Sequence, residues 1–94
     1  MITVQFNHQV KNFEEWFPFF KEHASFRQAA GCQGAEVFTD PNDRNNVTVL
    51  LTWENAETAQ KFAGSSELKE VMKKAGVLSA PKATILNNEG KLAG

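Results

Sequence analysis

Residues 33–53, QGAEVFTDPNDRNNVTVLLTW, contain two extended segments separated by a run of turn-forming residues. The separating run, residues 40–46, is built mainly from aspartate, asparagine and proline, which favour tight turns. β-Branched and aromatic residues on either side favour strands at 33–39 and 47–53. So short a connection cannot form a parallel crossover, and the stretch therefore predicts an antiparallel hairpin.

A strand and a helix are predicted ahead of this hairpin. Apolar residues alternate with polar ones over residues 2–8, which is the pattern of a strand with two unlike faces. Asn12 is a suitable N-cap for a helix near residues 13–30. Pro18 lies inside that segment, and proline removes a backbone donor and clashes with the preceding turn. We therefore expect a kink there, with the main helix starting near residue 17.

A second helix and a fourth strand are predicted after the hairpin. Helical periodicity covers residues 55–75 with an interruption at Gly-Ser-Ser, residues 64–66, and a strand pattern covers residues 82–87. The order β-α-β-β-α-β predicts an α+β, ferredoxin-like fold, a four-stranded antiparallel sheet with helices on one face. We expect residues 1–94 to form a single domain with a frayed tail at 88–94.

Composition and charge narrow the function classes. The 94 residues carry a net charge of −1, with no basic cluster of the kind that phosphate contacts need, so no nucleic acid partner is expected. Cys32 is the single cysteine and cannot form an internal disulfide, which fits a reducing compartment. The N-terminus reads as a strand rather than a signal peptide, and no apolar run is long enough to cross a membrane. A cytoplasmic protein without a membrane partner is expected.

The predicted third strand is apolar on both of its faces. Val49 and Leu51 lie on one side, and Leu50 lies on the other between two threonines. A sheet that is partly apolar on both faces requires cover on both, and the two predicted helical segments cover only one. The sequence therefore predicts a homodimer in which a second copy covers the open face.

Four stretches distributed along the chain resemble one family. They are FEEW at 13–16, VLLTWE at 49–54, SEL at 66–68 and MKKAGV at 72–77. Together with His23 and Arg27 they resemble the antibiotic biosynthesis monooxygenase-like family of dimeric α/β barrel proteins. The resemblance implies two ferredoxin-like subunits with their sheets face to face, and a ligand cleft between sheet and helices. The family that the chain resembles includes cofactor-independent monooxygenases of aromatic polyketides, haem-degrading enzymes and small proteins with no known activity.

The resemblance can be followed residue by residue. The haem-degrading members use an asparagine on the first strand, with a tryptophan and a histidine on the second helical segment. This chain matches with Asn7 but has Phe62 and Met72 at the other two places, so no haem is expected. The polyketide-oxidising members use tyrosine, which this chain lacks. Its two histidines and one cysteine match no metal-ligand spacing either, so no cofactor and no metal are expected.

His23 and Arg27 are the most informative polar pair. They are four residues apart and therefore lie on one face of a helix, among aromatic side chains. His23 can serve as a general base and Arg27 can hold an anionic oxygen, with Asn7 completing the polar centre. Alternatively, Arg27 pairs with a carboxylate of a neighbouring strand or subunit, and His23 is a hydrogen-bonded core residue.

A ligand cleft is expected between the helices and the sheet. Its predicted walls are Trp16, Phe20, His23, Phe62 and Met72, and Arg27 is also assigned to substrate binding. His8, at the end of the first strand, is either a structural residue or a catalytic one that reaches the cleft, and Trp53 either packs or binds through its indole N–H.

Two functions from different classes remain. One is a cofactor-independent monooxygenase-like enzyme that binds a small aromatic or carbonyl compound. The other is a non-catalytic ligand-binding or structural homodimer with the same fold.

Overall fold

The antiparallel sheet and its helical layer are seen in a computed structural model that describes residues 1–78 and 81–94. The strands are β1 (Ile2–Gln9), β2 (Cys32–Asp40), β3 (Asp43–Trp53) and β4 (Lys82–Asn87). The helices are α1 (Phe13–Glu22), α2 (Ala24–Ala29), α3 (Ala56–Ala63) and α4 (Ser66–Lys74). The strand order is β2-β3-β1-β4 with antiparallel neighbours, which confirms the predicted ferredoxin-like fold.

The register of the central strands decides which side chains face the helices. Val4 lies opposite Leu51, and Phe6 lies opposite Val49, so these side chains share one face. All four are buried beneath the helical layer. The alternate residues of β1, including Asn7, point to the other face, which we call the open face.

The hairpin turn is tighter than the sequence predicts. β2 continues to Asp40 and β3 begins at Asp43, so only Pro41 and Asn42 form the loop. The Asp40 carboxylate accepts a hydrogen bond from the Asn42 amide at 2.8 Å, and this bond stabilises the two-residue turn. A register shift next to Thr39 accommodates the additional residues at the start of β3.

The interruption of the first helical segment lies at a different place from the one predicted. α1 begins after Asn12, whose side chain accepts from the Glu15 amide at 3.3 Å, and it runs through Pro18 without ending. Pro18 is exposed, so its missing donor costs one hydrogen bond and no core contact. The helix ends instead at His23, where φ −92° and ψ 19° leave the helical range before α2 begins.

The second helical segment is interrupted where the sequence predicts. α3 ends at Gly64, and α4 begins after Ser65, whose hydroxyl accepts from the Leu68 amide at 3.1 Å. Ala59 and Phe62 of α3 are buried against the sheet. In the part of the chain that the structure describes, no helix is long and apolar enough to cross a membrane.

Candidate functional site

An apolar cleft lies between the helical layer and the central strands. Its empty volume is about 530 Å³, counting the space at its mouth, and its walls come from α1 to α4 together with β1 and β3. Six side chains that the sequence assigned to a ligand site line this cleft: Trp16, Phe20, His23, Arg27, Phe62 and Met72. Their role in binding stays a prediction.

Stacked aromatic rings form one wall of the cleft. Trp16 and Phe20 are one helical turn apart on α1, and their ring centroids lie 5.0 Å apart with an interplanar angle of 22°. We call this pair the aromatic wall. Phe62 of α3 meets Phe6 of β1 edge to face at 6.4 Å, which joins the cleft to the sheet. These rings make the lining of the cleft largely apolar.

His23 lies at the junction between α1 and α2. Its Nδ1 is 2.9 Å from the carbonyl oxygen of Phe19, and its ring stacks on the Phe19 ring at 4.2 Å between centroids. A carbonyl oxygen only accepts hydrogen bonds, so Nδ1 must carry the proton. Nε2 of the uncharged ring therefore holds a lone pair.

Arg27 joins the end of α1 to α2. Its Nη1 donates to the carbonyl oxygen of Phe20 at 2.6 Å, and its guanidinium lies 3.8 Å from the centroid of the Phe20 ring. Burial lowers the pKa of Arg27, opposed by the nearby Cys32. Among residues 1–78 and 81–94 the one ion pair joins Arg44 and Glu14, so the carboxylate partner considered for Arg27 is not seen there. Its cation has a backbone carbonyl and an aromatic ring as neighbours.

Asn7 does not belong to the same site as His23. Its side chain is exposed on the open face, where Nδ2 donates to Asn46 Oδ1 and Thr48 Oγ1, each at 3.0 Å. The cleft lies on the opposite face of the sheet. The predicted polar centre of His23 and Asn7 is therefore corrected, because successive residues of a strand point to opposite faces.

His8, the next residue on β1, lines the cleft instead. It is only 5% exposed, and its ring meets Trp16 edge to face at 5.7 Å. No hydrogen-bond partner for Nδ1 lies in the described part of the chain. Desolvation by burial, opposed by a weaker interaction with the backbone of His8 itself, lowers the pKa of His8 below its ordinary 6.5. The sequence contained the signal, since His8 continues the buried row of Val4 and Phe6.

Trp53 and Cys32 have packing roles. Trp53 is fully buried and contacts the Phe62 ring at 4.9 Å between centroids. The Cys32 thiol donates to the Gly34 carbonyl oxygen at 3.2 Å. Neither side chain lines the cleft.

A family model described as antibiotic biosynthesis monooxygenase matches residues 1–74 of the chain. No curated protein matches the sequence significantly.

Similar solved structures share the fold at low sequence identity. One is named an antibiotic biosynthesis monooxygenase, from Bordetella bronchiseptica, with TM-score 0.79 and 15% identity over 94% of this chain and 96% of that one. Another is SnoaB, a cofactor-independent oxygenase from Streptomyces nogalater, with TM-score 0.76 and 11% identity over 99% and 97%. A conserved protein from Methanosarcina mazei Go1 gives TM-score 0.70 and 18% identity over 94% and 92%.

Proposed function

Because the chain belongs to the antibiotic biosynthesis monooxygenase family, we propose that it binds a small aromatic or carbonyl compound in the cleft and oxygenates it without a cofactor. One observation carries the proposal. His23 lines the aromatic-walled cleft, and its Nδ1 donates to the Phe19 carbonyl, so in the neutral ring Nε2 carries the lone pair that a general base needs. The cofactor-independent activity named for SnoaB supports the same chemistry.

The proposed reaction converts a CH₂ group next to an aromatic carbonyl system into a ketone. His23 Nε2 takes one C–H proton, and the resulting carbanion is delocalised as an enolate. Dioxygen takes the carbanion electrons and forms a C–O bond, and the proton returns to give a hydroperoxide. Loss of the second C–H proton with cleavage of the O–O bond releases water and leaves C=O. The balance is R₂CH₂ + O₂ → R₂C=O + H₂O, with the substrate as the reductant.

The remaining side chains of the site bind and orient the substrate. The aromatic wall of Trp16 and Phe20 provides apolar contacts for an aromatic ligand, and Phe62 and Met72 complete the apolar enclosure. Arg27 supplies the positive charge that stabilises a developing enolate oxygen. The low polarity of the cleft strengthens the attraction between the Arg27 cation and the negatively charged enolate oxygen.

The test is oxygen consumption with anthrone, whose CH₂ group lies between two aromatic rings and opposite a carbonyl. His23→Asn is the informative variant because an amide nitrogen can still donate to the Phe19 carbonyl while Nε2 is lost. We expect folded His23→Asn to lose at least about a hundredfold in rate, as is usual when a general base is removed. Labelled dioxygen should place one labelled atom in the anthraquinone product.

His23→Ala is the matched comparison, since it removes both ring nitrogens. If His23→Asn keeps the full rate while His23→Ala unfolds, His23 is a structural residue and the base assignment is wrong. The second function, a non-catalytic ligand-binding protein, is favoured if the wild-type protein binds anthrone but consumes no oxygen above the uncatalysed rate. The observation in favour of this alternative is that His23 and Arg27 both bond carbonyl groups at the end of α1.

We also propose that two copies pair through the open face of the sheet. Phe38 of β2 is 46% exposed and Leu86 of β4 is 42% exposed, and both share this face with the half-buried Leu50 of β3. Large apolar side chains in one face favour burial by a second, identical face. Leu50→Glu should shift sedimentation from dimer to monomer, and a monomeric wild-type protein at micromolar concentration would contradict the proposal. A cytoplasmic location, supported by the lone Cys32 thiol, belongs to the same proposal.

A further inference from the structure

We propose that His8 is the hydrogen-bonding anchor of the cleft and that it selects ligands carrying an aromatic hydroxyl group. The proposal rests on the proposed function in one respect, namely that the cleft binds an aromatic compound. It goes further because it assigns the residue that recognises the ligand and the chemical group that is recognised.

The first support is the environment of His8. The side chain is 5% exposed, and within residues 1–78 and 81–94 its Nδ1 has no hydrogen-bond partner, so a polar atom is buried without a hydrogen bond from that part of the chain. Such groups are rare in folded proteins because each costs free energy, and a ligand is one way to satisfy them. The ring already lines the cleft, and the torsion about its Cβ–Cγ bond is roughly two-fold, so rotation can turn either ring edge toward a ligand.

The chemistry of an uncharged imidazole selects the ligand group. One ring nitrogen donates and the other accepts, and which does which depends on the tautomer. A phenolic hydroxyl can donate to one tautomer and accept from the other, whereas an ether oxygen can only accept. An aromatic hydroxyl therefore pairs with His8 in either tautomer. The lowered pKa of His8 keeps this uncharged form populated at neutral pH.

The neighbours of His8 place the aromatic part of the ligand. His8 flanks Trp16 at 5.7 Å, Trp16 stacks on Phe20 at 5.0 Å, and Arg27 covers the other end of this aromatic wall at 3.8 Å. A hydroxyl bound to His8 therefore belongs to a ring system that extends along the wall toward Arg27. The cleft should favour hydroxyaromatic compounds of two or more fused rings.

The experiment compares 2-naphthol with 2-methoxynaphthalene, which has the same rings but lacks the donating hydrogen. Calorimetry should show that the wild-type protein prefers 2-naphthol by about tenfold, the ratio expected for one hydrogen bond to a buried group. His8→Phe keeps an aromatic ring and removes both nitrogens. In this variant 2-naphthol should bind about tenfold more weakly, and the affinity for the ether should stay within about threefold.

His8→Asn is the rescue variant, because its amide places polar atoms near the position of Nδ1. It should retain part of the preference for 2-naphthol. The wild-type protein gives a readout that needs no substitution: 2-naphthol should shift the ring ¹⁵N resonances of His8 more than the ether does. Equal affinities for the two probes, or a preference that persists in His8→Phe, would overturn the assignment of His8 while the cleft remains a binding site. If neither probe binds the wild-type protein, the proposed function fails as well.

Discussion

The helical layer is interrupted twice, and the two interruptions are held together by different means. Between α1 and α2, the side chains of His23 and Arg27 bond the carbonyl groups of Phe19 and Phe20. Between α3 and α4, the hydroxyl of Ser65 caps the helix that follows it. At the first interruption, residues that line the cleft also form the hydrogen bonds between the helices. At the second, the bond is a local helix cap made by a residue outside the cleft. Substitutions at the first should change both stability and ligand binding, and substitutions at the second should change stability alone.

The largest effect on the free energy of unfolding is expected at the first interruption. Arg27→Ala removes a charge-assisted hydrogen bond and the stacking on Phe20, and should lower the free energy of unfolding by about 2 kcal/mol. Arg27→Lys keeps the charge without the planar guanidinium and should cost less. Urea denaturation measures both.

Arg44 provides the control for this prediction. It also lies over an aromatic ring, that of Phe13, and pairs with Glu14, but it is exposed. Arg44→Ala should change stability by less than about 1 kcal/mol because exposed ion pairs are weak. If Arg27→Ala and Arg44→Ala lower the free energy of unfolding equally, the first interruption has no special role in stability.

A smaller effect is expected at the second interruption. Ser65→Ala removes the N-cap of α4 and should lower the free energy of unfolding by about 1 kcal/mol. Its affinity for 2-naphthol should stay within about threefold of the wild-type value. Ser66→Ala changes an exposed neighbour and should shift stability by less than about 0.5 kcal/mol. A tenfold loss of affinity in Ser65→Ala would show that both interruptions shape the cleft.

The smallest effect should come from the titration of His8. Its pKa is lowered by burial, so below its ordinary value of 6.5 the unfolded chain binds a proton before the folded protein does. The free energy of unfolding should therefore fall as the pH decreases below 6.5, until the folded protein also protonates. His8→Phe should remove this part of the pH dependence below about pH 7.5. His23, which lines the same cleft, is present in both proteins, so the difference between them isolates His8.

The strands could be predicted from the sequence because they follow repeating patterns, and the family could be identified because four stretches of the chain resemble it. Alternation along β1 and the turn residues near Pro41 are local signals, and the register follows once one face must be buried. The position of the first helical break was not accessible. The sequence suggests Pro18, but an exposed proline costs one hydrogen bond, whereas the break at His23 depends on side-chain bonds that form only in three dimensions.

The apolar residues that the sequence grouped into a site lie together in the structure, whereas Asn7, which was grouped with them, lies on the other face of the sheet. Helical spacing places Trp16 and Phe20 on one face, so their common wall follows from the sequence. Asn7 was chosen over His8 by resemblance, although the alternation of β1 puts His8 on the buried side. That His8 Nδ1 has no partner in the described part of the chain could not be predicted, because it depends on every neighbour in the folded structure.

The placement of the two tryptophans gives this protein a built-in optical assay. The chain has no tyrosine, so its near-ultraviolet emission comes from Trp16 and Trp53. Trp53 is fully buried in the core and should emit at short wavelength until the protein unfolds. Trp16 lines the cleft in contact with His8, so its emission should be quenched when a ligand enters or when the imidazole becomes charged. Replacing either indole by phenylalanine would separate the two signals, one for folding and one for occupancy of the cleft.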